Sequence, residues 1–154
     1  MVPLRKKLQI RVTSLLDSRF HDALEALLFF NPQQGNWRRR IVASVEKYGN
    51  PMLVERHGGL RIEMPGAPDS QTLYALAESS RFAELAGLLS FNRNNDSEFE
   101  ILHLAVRFEY TIAGGMDENS VAFLLVRELR HIARQVKGIQ AIRLPYQRGK
   151  ATVL

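Results

Sequence analysis

Three apolar stretches at 72–77, 82–91 and 99–110 are separated only by the short polar breaks Glu78-Ser79-Ser80 and Asn92-Arg93-Asn94-Asn95-Asp96. Breaks this short leave no room for crossover connections, which need a dozen or more residues, so the stretches must pair as an antiparallel meander. The period then changes. Beyond a loop at 111–119, Val121, Leu125, Leu129, Ile132 and Val136 fall on one face of an amphipathic helix that Gly138 closes. A last strand at 141–144 precedes Pro145 and a basic tail. With the helix as crossover between the long strand at 99–110 and the last one, a βαβ unit ends the antiparallel sheet.

The first half of the chain is expected to supply the rest of the sheet and two helices. Leu8, Ile10 and Val12 alternate with polar residues, as in a half-buried strand. Ser14, with Asp17 three residues on, offers a helix cap, and Leu16, Phe20, Leu24, Leu27 and Leu28 share a helical face that must end near Asn31-Pro32. Asn36 can cap a second helix, with Trp37, Ile41, Val45 and Tyr48 on one side and Gly49 as its stop. The stretches 53–56 and 60–64 flank His57-Gly58-Gly59 and are expected to form a hairpin. Pro65-Gly66-Ala67-Pro68-Asp69-Ser70 is the clearest loop. The expectation is one α+β domain over 1–154, with a mixed, mostly antiparallel sheet and about three main helices.

Composition narrows the chemistry. A chain of 154 residues, 45% of them apolar, can bury a core without staples, and with no cysteine it has no thiolate metal site, Cys nucleophile or disulfide. His21, His57, His103 and His131 are scattered without ligand spacing, so no metal site is expected. No apolar run approaches the roughly 20 residues of a membrane span, and no signal-peptide pattern opens the chain, so a cytoplasmic location without membrane contact is the default. The net charge of +5 favours an anionic partner.

The order of strand, two helices, meander, helix and strand resembles the GNAT superfamily of N-acyltransferases. Phe82-Ala83-Glu84-Leu85-Ala86-Gly87-Leu88-Leu89-Ser90-Phe91 looks like that family's third strand. Ile101-Leu102-His103-Leu104-Ala105-Val106-Arg107-Phe108-Glu109-Tyr110 looks like its fourth, an apolar run followed by Val, any residue, Pro, Glu and Tyr, with Phe108 replacing Pro. The resemblance covers about 8–146, with specific text only at 72–110.

This resemblance implies acyl transfer, acetyl above all, from acetyl-CoA to an amine. It implies that backbone groups of Leu104, Ala105 and Val106 lie along the pantetheine arm and face the thioester carbonyl, where donors stabilise the oxyanion. Family members continue with Arg or Gln, two residues, Gly, one residue, and Gly or Ala, whose amides cradle a pyrophosphate. Here Thr111-Ile112-Ala113-Gly114-Gly115-Met116 keeps only Gly114 of that signature, so Gly114 and Gly115 are the candidates to face the pyrophosphate, or else a flexible turn. Asp117 and Glu118 would have to point away or be neutralised by a cation such as Arg107 or Arg127. Glu100 and His103 are candidates for the general base, expected on opposite faces of the strand because their spacing is odd. Otherwise they are a solvated carboxylate and a packed imidazole. The resemblance also implies a general-acid tyrosine beyond the last strand, where Tyr146 is the one tyrosine present.

The departures leave a second expectation: a degenerate GNAT-like domain without the coenzyme site, acting as a binding or assembly module. In it a sheet edge left open beyond the last strand pairs with a second copy, giving a homodimer. Arg127, Arg130, Arg134 and Lys137 form a basic stripe almost opposite the apolar helix face. Without a recognisable nucleic-acid motif, that stripe is expected to be a solvated surface, and nucleic acid is not an expected partner.

Overall fold

Alternation at Ile10 and Val12 builds the first strand, β1 (Gln9–Thr13), which pairs antiparallel with β5 (Gln71–Glu78). The structure, a computed structural model, describes residues 9–29, 48–110, 121–143 and 152–153. Between β1 and β5 lie β2 (Leu16–Asp17), helix α1 (His21–Phe29), β3 (Met52–Arg56) and β4 (Gly59–Glu63). After β5 come β6 (Ala83–Asn95), β7 (Glu98–Val106), helix α2 (Val121–Gln135), β8 (Ala141–Arg143) and β9 (Thr152–Val153). The large sheet has the order β1-β5-β6-β7-β8-β9, and the small one β2-β4-β3. Among the described strands only β7 and β8 run parallel, with α2 as the crossover between them.

Both faces of the large sheet are covered, which is why β5 is apolar along nearly its whole length. One face meets α2 through Ala75, Ala77 and Ala86, all with 0% exposure. Small side chains there let the helix backbone come close, and Val121, Leu125, Leu129 and Ala133 of α2 are themselves fully buried. The other face packs Tyr74, Leu76, Leu85, Leu88, Leu102 and Ala105 against Phe20, Leu24, Leu27 and Leu28, with Leu60, Ile62 and Met64 of the small sheet. The β3–β4 hairpin turns through His57 and Gly58 at φ of 53° and 77°, the left-handed pair that a tight two-residue hairpin requires.

Several sequence expectations need correction. Leu16 does not open a helix but pairs with Leu60 as part of β2, so its burial comes from a strand. Asp17, not Ser14, caps the turn that follows: its Oδ1 accepts from the Arg19 N–H at 2.8 Å. The apolar spacing from Leu16 to Phe20 fits a helix, but it cannot reveal that the edge of β4 offers a ladder. Residues 92–95 form no loop. They continue β6 as the partner of β7, with a register shift between Arg93 and Asn95, and only Asp96 and Ser97 turn. In the other direction, β7 stops at Val106, and 107–110 leave the ladder in a 3₁₀ turn closed by the Tyr110 N–H donating to Arg107 O. A further strand, β9, pairs with β8, so the sheet edge expected to lie open at β8 is occupied there. Of the expected second helix, only Tyr48 lies within the described residues, where it is helical and is followed by Gly49 at φ 84°. Two α-helices, α1 and α2, stand among the described residues where about three were expected.

Candidate functional site

Among the described residues β7 and β8 are partners over a short distance. Their parallel register covers Glu98↔Ala141, Phe99↔Ile142 and Glu100↔Arg143, and Arg143 is the last described residue of β8. β7 continues to Val106, paired with β6 on its other side. The Arg107 N–H donates to Ala86 O, so it points toward β6. Because ladder N–H groups alternate, Ala105 also points toward β6, while Leu104 directs its N–H away from β6.

The face of β7 turned toward α1 carries most of the polar side chains of the strand. Between Ser90 and Phe91 the β6–β7 register slips: Ser90 stands opposite His103 and Phe91 opposite Ile101, leaving Leu102 as the extra residue of a bulge. Alternation is reset at that point. Glu100, Leu102, His103 and Ala105 then share the α1 side, while Phe99, Ile101, Leu104 and Val106 turn to α2. The expectation that Glu100 and His103 occupy opposite faces is thus wrong, because the bulge supplies a residue that a period of two cannot count.

Along this shared face the groups are distinct in character. Glu100 Oε2 accepts a 2.7 Å hydrogen bond from the Tyr48 hydroxyl, which orients the carboxylate. Arg143 donates through Nε to Glu98 Oε1 at 3.0 Å, and Asn94 Nδ2 donates to the same oxygen at 2.9 Å. These bonds hold the Glu98 carboxyl below its ordinary range and fasten β8 to the end of the β6–β7 hairpin. Ser90 and Thr72 share a buried hydrogen bond of 2.8 Å between their hydroxyls. The His103 ring is half-buried, with Nε2 enclosed and without a hydrogen-bond partner among the described residues. Burial lowers its pKa to about 4, so it is neutral at physiological pH. His103 is thus a packed neutral ring, and Glu100 is the oriented carboxylate of this face.

At the far end of β7 a second cluster fixes the exit of the chain. Arg107 Nη1 donates to Glu84 Oε1, the Tyr110 hydroxyl donates to Glu84 Oε2 at 2.7 Å, and Arg107 Nε lies 3.3 Å from Glu109 Oε2. Burial, followed by the bond to Glu84, raises the Tyr110 pKa strongly, so Tyr110 is a structural donor. Arg107 is consequently committed to carboxylates. Above this end sits the first turn of α2, drawn close because residue 87 is glycine: a Cβ there would lie 3.0 Å from Ala105 O and 3.0 Å from Val121 Cγ1. No motif spacing in the sequence marked Glu84 or Tyr48 as partners of these strands, because both contacts span long separations in the chain.

Leu104, Ala105 and Val106 thus lie at the end of β7, paired with β6, with Glu100 opposite Arg143 of β8 and His103 on the same face as Glu100. Tyr146, Gly114 and Gly115, together with Asp117 and Glu118, lie outside the described residues. Among the described residues no three His, Asp or Glu side chains gather to hold a metal ion. No described helix is long and apolar enough to cross a membrane. No protein-family model, curated protein or solved structure matches this chain.

Proposed function

We propose that this chain is a GNAT-type N-acyltransferase that moves an acyl group, acetyl in the first instance, from coenzyme A to an amine. What supports the reading is the polar face of β7, where Glu100 is oriented by the Tyr48 hydroxyl at 2.7 Å, and the direction of the Leu104 N–H, which points away from β6. In this reading the Leu104 N–H donates to the oxygen that becomes negative as the amine nitrogen attacks the thioester carbonyl. Glu100, held by Tyr48, takes the proton that the ammonium must lose, directly or through one water. The carbon–sulfur bond then breaks and the thiolate leaves. His103, uncharged and enclosed at Nε2, is left out of the proton path. The pyrophosphate falls to Gly114 and Gly115 ahead of α2, and Tyr146 stays the candidate for protonating the thiolate.

Isothermal titration with acetyl-CoA tests the first step, and coenzyme A release with a panel of primary amines tests the second. Binding with micromolar to millimolar affinity is expected, and Glu100→Gln should keep it while turnover falls by about 10²–10⁴-fold. No heat and no thermal shift at millimolar acetyl-CoA refutes the enzyme reading.

One observation favours the alternative, a GNAT-like domain that has lost its coenzyme site and serves as a binding or assembly module. Arg107, a cation expected to offset Asp117 and Glu118, is already engaged by Glu84 and Glu109. A homodimer in that reading pairs through an outer strand, β1 or β9. Light scattering that shows a dimer, together with silence toward acetyl-CoA, would select it.

A further inference from the structure

We draw no further inference here: the strongest candidate, the row of Thr72, Ser90 and the enclosed His103 ring across β5, β6 and β7 on the side turned to α1, belongs to the site already described.

Discussion

Replacing Gly87 by alanine should destabilise the protein, although the same change at Gly59 should not. At Gly87 an added Cβ would stand 3.0 Å from the Ala105 carbonyl oxygen, 3.0 Å from Val121 Cγ1 and 3.3 Å from Val106 Cγ2. The first of these is backbone in a paired strand, and the second belongs to a side chain with 0% exposure, so neither can step aside without disturbing β7 or the seat of α2. Overpacking of this kind costs about 1–3 kcal/mol, and the loss of glycine freedom in the unfolded chain returns about 0.4–1. The net expectation is a loss of about 1.3 kcal/mol, the midpoint of a range from about 0 to 2.6. At Gly59 the nearest atoms would be Arg56 O at 3.6 Å and Leu16 O at 3.7 Å, ordinary contacts, so only the gain of about 0.4–1 kcal/mol remains. Urea unfolding reads both free energies, and the opposite signs guard against a shared artefact. The Gly87 variant should also weaken acetyl-CoA binding if the proposed function holds, since the same contact sets the distance between the end of β7 and the start of α2. A Gly87→Ala protein more stable than the parent would refute the close approach of α2 to the sheet.

Two pH experiments follow from the ionisable groups. Glu98 is held below its ordinary carboxyl range by Arg143 and then Asn94, so its contribution is present above that range and is lost as pH falls through the lowered folded value. Glu98→Gln should therefore flatten the acid limb of the stability curve, as read by urea midpoints from neutral pH down through the carboxyl range. Tyr74 is raised by burial to about 12, so stability is lost as pH rises from its ordinary 10.0 toward that value. Tyr74→Phe should resist alkaline unfolding better than the parent, and phenolate absorbance should show one tyrosine fewer titrating late.

The meander and the crossover helix are legible because the first shows three apolar stretches parted by breaks too short for a crossover and the second a sustained period through Val121, Leu125 and Leu129 in α2. The misreadings share a cause. Leu16 repeats in step with Phe20 as a helix would, yet it is claimed by the edge of β4. Asn92, Arg93, Asn94 and Asn95 have loop composition, yet the β6–β7 ladder runs through them. In both places a partner distant in sequence overrides the local preference. The candidate site was legible as a strand, but its geometry was not. A single extra residue at Leu102 reverses the face of everything beyond it, and nothing in the types Leu-His-Leu announces a bulge.

That bulge also sets the last prediction, which concerns His103. The slip carries its ring from the α2 side to the α1 side, opposite Ser90, where Nε2 is enclosed without a partner among the described residues. Burial lowers the imidazole pKa from 6.5 to about 4, so between those values the unfolded chain binds a proton that the folded protein refuses. Stability must then fall as pH drops from 6.5 toward 4, and it is unaffected by this group above 6.5. Each pH unit between the two values is worth at most about 1.36 kcal/mol, and for a ring only half-buried the whole effect is about 1–3 kcal/mol. His103→Leu removes both the titration and the unsatisfied acceptor, so the variant should be at least as stable as the parent at neutral pH and should gain on it steadily down to about pH 4. The His103 ring proton in an NMR titration should likewise show no inflection between about pH 5 and 8. Parallel stability curves for parent and variant would mean that the ring is not held neutral by burial. A variant weaker by more than about 1 kcal/mol at neutral pH would mean that Nε2 has a bound partner, and His103 would then return as a working group of the site beside Glu100.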